Sequence, residues 1–138
     1  MGDCIFCKII SGHLPAHKVY EDEKILAFLD INPVNPGHTL VVPKRHFESM
    51  IDADDGTLSE LTRIAKRLGG AMMKGLDAQG FNLGVNNGAV AGQVVFHVHY
   101  HLIPRMHSDN LQPWGKRTYG AGEAERVAAV IREKLALL

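Results

Sequence analysis

Residues 96–104 read Phe-His-Val-His-Tyr-His-Leu-Ile-Pro, three histidines at every second position. Strand side chains alternate between faces. His97, His99 and His101 are therefore expected to point one way, while Val98, Tyr100 and Leu102 point the other way into a core. Neighbours on one strand face lie ~6.5–7 Å apart. A solvated polar face explains the row poorly, because three of the chain's eight histidines fall within five positions on one side. A single metal ion holding all three explains it no better. Nitrogens around one tetrahedral zinc lie roughly 3–3.5 Å apart, closer than a regular strand brings them. One histidine can still complete a metal site while its neighbours stay free for chemistry.

Working outward, the spacing predicts a strand over 94–103, preceded by a glycine-containing loop at 87–92 and a strand at 81–86. Thr57 with Glu60 resembles a capping box. Leu58, Leu61, Ile64, Ala65, Leu68, Met72 and Leu76 then follow helical spacing, so a long helix crosses the middle, with Gly69-Gly70 expected to weaken or bend it. Lys18–Glu21 and 24–30 read as a hairpin around Glu21-Asp22-Glu23. The dense turn Asn32-Pro33-Val34-Asn35-Pro36-Gly37 leads to a strand over 38–42. Ile5, Phe6, Ile9 and Ile10 before Gly12 mark a short helix. A last helix from about Gly122 carries Val127, Val130, Ile131, Leu135 and Leu138 on one face. Strands joined by short turns plus these helices give an α+β fold, an antiparallel β-sheet with a long central helix and N- and C-terminal helices.

At 138 residues the chain fits a single domain, 1–138, with a core of about 4–105 and an extension of about 106–138. Fifteen basic and fifteen acidic residues cancel, so no field draws in nucleic acid or an anionic membrane. No apolar run reaches the ~20 residues of a membrane span. The start of the chain lacks a basic n-region and a long apolar stretch, which makes a cytoplasmic setting the expectation.

Cys4 and Cys7 form a C-x-x-C pair. They can be metal ligands, a redox pair or two incidental thiols. A redox pair would follow a buried strand and open a helix, and no strand precedes this one. Metal is favoured if two more ligands exist. His46, after the strand that ends in Pro43-Lys44, is one candidate, and thiolate with imidazole is the donor set zinc prefers. Spacing alone does not choose the histidines.

His97-Val98-His99-Tyr100-His101-Leu102-Ile103 resembles the signature of the histidine triad nucleotide hydrolases and transferases. Ile5-Phe6-Cys7-Lys8-Ile9-Ile10, Ala27-Phe28-Leu29-Asp30-Ile31, Pro36-Gly37-His38-Thr39-Leu40-Val41-Val42-Pro43-Lys44 and Asn86-Asn87-Gly88 through Gly92-Gln93 follow that family's order. The resemblance covers most of residues 4–105.

It implies a homodimeric hydrolase acting at the α-phosphorus of purine nucleotide conjugates, with nucleoside 5′-phosphoramidates as leading substrates. The alternatives are a dinucleoside polyphosphate hydrolase and a low-turnover nucleotide-binding interaction module. By the resemblance, His99 is the nucleophile, and His101 and His38 bind phosphate oxygens or orient the reacting groups. Asn86, Gln93 and the backbone near Gly92 and Val94 bind phosphate, and Asp30 takes the ribose hydroxyls. Ile5, Phe6, Ile9, Phe28 and Ile31 wall the base. In some bacterial members and in the related hexose-phosphate uridylyltransferases, a C-x-x-C pair joins two histidines around zinc. Here that set is Cys4, Cys7, His46 and His97, a closed structural site, and no organic cofactor is implied. There are two departures from the phosphoramidase branch, the first removing a hydroxyl but keeping the backbone N–H, the second leaving the leaving group open. Val94 stands where the phosphoramidase branch often has serine, and the Trp-Pro-Pro-Gly tail is replaced by Gln112-Pro113-Trp114-Gly115 and an extra helix.

Overall fold

The structure is a computed structural model and describes residues 2–111 and 115–138. Of the expected tail motif, Gln112, Pro113 and Trp114 lie outside the described residues. Five strands form one antiparallel sheet in the order β1-β2-β3-β5-β4. These are β1 (Lys18–Glu21), β2 (Ile25–Leu29), β3 (Thr39–Pro43), β4 (Gly80–Gly84) and β5 (Tyr100–Arg105). Asp22 closes the β1–β2 hairpin by accepting the Lys24 and Ile25 N–H groups, both at 2.7 Å.

The sheet is covered on both faces. Ile25, Ala27, Val41 and Tyr100 pack against Leu61 and Ile64 of the long helix α2 (Asp55–Gly75). Leu26, Phe28, Leu40 and Val42 pack against Phe6 of the short helix α1 (Ile5–Ile10), with Cys4 and Ile9 alongside. Double coverage explains why β2 and β3 read as continuous apolar runs.

The expected cap lies three residues too late. Asp54 is the N-cap of α2, accepting Thr57 N–H at 3.0 Å and the Thr57 hydroxyl at 2.7 Å, while Glu60 pairs with Arg63. Asp is as good a cap as Thr and stands where the loop ends. Gly69-Gly70 does not interrupt the helix, which continues to Gly75. A Cβ on Gly69 would sit 2.5 Å from Phe81 Cε1, so its missing side chain lets α2 close onto β4.

The expected strand over 94–103 is shorter and starts later. A ladder continued from the Val41–Tyr100 pair would set Val98 opposite Pro43. Proline has no N–H to give, and Pro43 C=O faces the His97 ring instead, 2.8 Å from Nε2. Val98 N–H goes to Phe47 C=O at 2.7 Å. Residues 94–99 are therefore unladdered chain leading into β5.

The C-terminal helix α3 (Glu123–Leu135) forms as expected but buries none of its residues. Val130, Ile131 and Leu135 are all more than half exposed. Among the described residues, no helix is long and apolar enough to cross a membrane.

Candidate active site and metal centre

The three histidines of residues 97–101 meet three different sets of partners. His97 is fully buried. Its Nδ1 lies 3.5 Å from Cys4 Sγ, 3.6 Å from Cys7 Sγ and 3.1 Å from His46 Nδ1, and Cys7 Sγ lies 3.3 Å from that same His46 nitrogen. All four donor atoms fall within 4.8 Å of one another. Bonds of about 2.3 Å to sulfur and 2.0–2.1 Å to nitrogen in a tetrahedron give edges of roughly 3.3–3.8 Å. The residues fit a four-coordinate ion.

The surrounding contacts fit it as well. Nε2–H of His97 donates to Pro43 C=O, which leaves the Nδ1 lone pair free for a ligand bond. Burial holds the His97 ring at about 4, hence neutral. Burial and the adjacent Cys4 push the Cys7 thiol up, a tendency that a bound dication reverses. The Cys4 thiol also caps α1 by accepting Cys7 N–H at 3.4 Å. Any ion held here ties α1 to the histidine segment.

His99 is buried, and its Nδ1 lies 2.7 Å from the carbonyl oxygen of His97. A carbonyl can only accept, so Nδ1 carries the proton and Nε2 carries the lone pair. Burial lowers the His99 pKa below its ordinary value of 6.5, favouring that neutral form. The Phe6 ring lies edge-on to His99 at 5.0 Å and to His97 at 5.9 Å, which confirms that the two histidines share the α1 side of the chain.

His101 Nδ1 lies 2.9 Å from His38 Nε2. His38 Nδ1 in turn accepts Val34 N–H at 3.0 Å, so the His38 proton is on Nε2 and is donated to His101. The His101 proton is thereby on Nε2. Burial, then the neighbouring His99 and His38, hold His101 at about 4, and burial also lowers His38. All three rings are neutral near pH 7.

These groups line or back a cavity of about 550 Å³, within the range that holds a nucleotide-sized ligand. His99 and His101 line it. His38 is buried behind His101 rather than on the wall. Asp30, Asn86, Gly92, Val94, Ile5, Phe6, Ile9, Phe28 and Ile31 all line it as well. Asp30 Oδ1 accepts Asn32 N–H at 2.9 Å, and its Oδ2 lies 3.7 Å from His38 Nε2. Gly92 adopts φ +96°, a conformation that favours glycine, and Asn86 reaches its carbonyl at 3.5 Å.

Gln93 is not brought to the site. Its amide nitrogen donates to the Glu48 and Val95 carbonyls, and its amide oxygen accepts Gly88 N–H at 2.8 Å. With both N–H bonds and the oxygen committed to backbone, Gln93 fastens the 88–95 loop and has no donor left for phosphate.

Sequence reasoning missed Leu14, Pro15, Ala16, Leu40 and Val95 on the cavity wall. It also missed the three backbone groups that set the ring tautomers, Pro43 C=O, His97 C=O and Val34 N–H. Leu14-Pro15-Ala16 carries no periodicity, and a backbone partner leaves no mark in side-chain pattern.

The HIT domain family model matches residues 11–108, and the chain belongs to that family. An uncharacterized HIT-like protein of Methanocaldococcus jannaschii is 54% identical over 106 residues, 77% of this chain and 81% of that one. An adenylylsulfatase of Arabidopsis thaliana is 43% identical over 109 residues, 79% of this chain and 55% of that one. A HIT family protein from Bacillus anthracis superposes with a TM-score of 0.86 at 40% identity, covering 96% of each chain. A Zn-bound histidine triad family protein from Mycobacterium smegmatis gives 0.78 at 38% identity, covering 98% of each. A histidine triad nucleotide-binding protein from Candida albicans gives 0.83 at 34% identity, covering 97% of this chain and 98% of that one.

Proposed function

We propose that this chain is a nucleotidyl hydrolase acting at the α-phosphorus of purine nucleotide conjugates, with nucleoside 5′-phosphoramidates as its leading substrates. The observation that carries the reading is the 2.7 Å contact between His99 Nδ1 and the His97 carbonyl. It aims a neutral imidazole whose Nε2 lone pair serves a cavity of nucleotide size. In the reaction, that lone pair forms a P–N bond as the bond from phosphorus to the leaving amine breaks, and the amine nitrogen takes up a proton from solvent. Water then adds to phosphorus as one of its protons returns to solvent, the P–N bond breaks with its electron pair returning to His99 Nε2, and the nucleoside monophosphate leaves. His101 Nε2–H donates to a phosphoryl oxygen, and His38 holds that ring in its donating tautomer. The Asn86 amide and the backbone at Gly92 and Val94 position phosphate. Asp30 accepts the ribose hydroxyls, and Ile5, Phe6, Ile9, Phe28 and Ile31 pack on the base.

The Arabidopsis relative, by its name an adenylylsulfatase, and the Candida neighbour, by its name nucleotide-binding, support nucleotide chemistry at phosphorus with a variable leaving group. Zinc belongs to the same reading as a structural ion held by Cys4, Cys7, His46 and His97. It supplies charge for two thiolates and a cross-link, and the reaction does not pass through it. The thiols must stay reduced, which agrees with a cytoplasmic setting. A homodimer agrees with the apolar stripe Val127, Val130, Ile131 and Leu135 of α3, which is exposed among the described residues. Light scattering that gives the mass of one chain would refute it.

The test is mass spectrometry of protein quenched during turnover of adenosine 5′-phosphoramidate. A nucleotidyl adduct on His99 is expected, with loss of both adduct and turnover in His99→Ala. Unchanged turnover in that variant refutes the mechanism. Saturable binding without adduct or product would instead identify a nucleotide-binding interaction module. Faster cleavage of a dinucleoside polyphosphate than of the phosphoramidate would reassign the substrate.

A further inference from the structure

The tautomers of His38 and His101 depend on one backbone N–H, that of Val34, and Val34 sits in an irregular turn rather than in a strand. The contacts that hold this turn come from the neighbouring strand β5 and the chain just after it. The Asn35 side-chain amide donates to Pro104 C=O at 2.9 Å and to Asp109 Oδ2 at 3.1 Å, while Asn35 C=O accepts His38 N–H at 3.0 Å. Asn35 therefore links the turn to the end of β5 and also starts the return into β3.

Asp109 collects an unusual number of donors. Its Oδ2 accepts Arg105 Nε at 2.9 Å and Met106 N–H at 3.0 Å as well as Asn35, and its Oδ1 accepts Leu111 N–H at 3.0 Å. Arg105 is held in turn by Asn82 of β4. The Asp109 side chain is only 10% exposed, yet it touches neither the cavity nor any histidine. A carboxylate with its oxygens so committed is a rigid post, since charged hydrogen bonds are about twice as strong as neutral ones.

We propose that Asp109 is a positioning residue of the histidine relay. Through Asn35 it holds the 33–37 turn so that Val34 N–H meets His38 Nδ1, and so places the His101 proton on Nε2. The catalytic benefit rests on the function proposed above; the control of tautomers does not. Rings left unpinned interconvert between tautomers, and the fraction with His101 Nδ1–H offers no donor to phosphate.

The experiment is long-range ¹H–¹⁵N correlation of the histidine rings in uniformly labelled, substrate-free protein near pH 7.5, with steady-state kinetics on the same samples. The wild type should show His38 and His101 as Nε2–H tautomers. Asp109→Ala and Asn35→Ala should each show mixed or averaged tautomers for both rings, with kcat falling about tenfold and KM moving less than twofold. Asp109→Asn, which keeps an acceptor oxygen, should recover part of both signals. Asn82→Ala, which removes the other partner of Arg105 but spares the Asp109–Asn35 bond, should leave tautomers and kcat as in the wild type. Should Asp109→Ala not fold, Asn35→Ala carries the test.

Unchanged tautomers in a folded variant of either residue overturn the proposal, as does an equal kcat loss in Asn82→Ala. Shifted tautomers in a protein that turns over no nucleotide conjugate would uphold the positioning network and overturn the hydrolase reading instead.

Discussion

Loading the four-donor cluster with zinc should set the melting temperature of this protein, by an amount that follows from its size. The folded chain brings Cys4 and Cys7 to His46 and His97, residues 39–42 and 90–93 positions away. The unfolded chain keeps only the C-x-x-C pair together. Zinc therefore binds the folded state more tightly, and each tenfold rise in free zinc above the folded-state Kd stabilises it by about 1.4 kcal/mol. Unfolding entropy near the melting point is about 2.1 cal/mol/K per residue, or about 0.29 kcal/mol/K for 138 residues. The slope is thus about 5 °C per decade of free zinc until the unfolded state also binds. The assay is thermal denaturation followed by circular dichroism in zinc buffers spanning four decades, for wild type and Cys4→Ser/Cys7→Ser. The wild type should climb and the double variant should stay flat. A wild-type melting temperature indifferent to zinc and to chelator, or an equal slope in the variant, would refute the assignment of these four donors. The variant, assayed well below its melting point, should still form the His99 adduct, because the ion holds structure and takes no part in bond making.

Other outcomes test separate parts of the site. Gly69→Ala should destabilise by about 1 kcal/mol net: the Phe81 clash costs about 1–3 kcal/mol and outweighs the ~1 kcal/mol helix preference of alanine. A raised melting temperature would show that Phe81 moves aside freely. Asp30→Ala should lower kcat/KM on ribonucleoside conjugates about 10- to 100-fold, the size of a lost charged hydrogen bond, and should erase the preference over 2′-deoxy conjugates. An unchanged preference removes Asp30 from ribose recognition. Burial holds His101 at about 4 and His99 below 6.5, so both rings stay neutral to lower pH than free histidine does. The acid limb of kcat/KM should accordingly lie below 6.5. An acid limb centred at or above 6.5 in the wild type would contradict the burial of the nucleophile.

Much of the site was legible because its side chains carry chemistry that ordinary surfaces and cores do not use. The alternation at 97–101, the C-x-x-C pair and the apolar spacing of α2 each stand out from a single stretch of chain. Gln93 was legible as a polar residue in the right loop but not as a committed one, since its three partners come from residues 48, 88 and 95. The expected strand starts six residues ahead of β5, which holds only His101 of the three, because pattern shows which residues alternate but not where a neighbouring proline stops the ladder. The cap of α2 shifted for a similar reason: Asp54 and Thr57 both suit the position, and the end of the preceding loop selects between them.

The sequence by itself determined the fold class, the family resemblance and the shared face of His97, His99 and His101, since each follows from residue type at local spacing. Only the tertiary structure decided what each ring does. Pro43 C=O turns His97 Nδ1 toward the thiols, the His97 carbonyl frees Nε2 of His99, and Val34 N–H passes its preference through His38 to His101. Imidazole has two nitrogens of nearly equal proton affinity, and the choice between them is made by backbone groups that only folding brings within 3 Å.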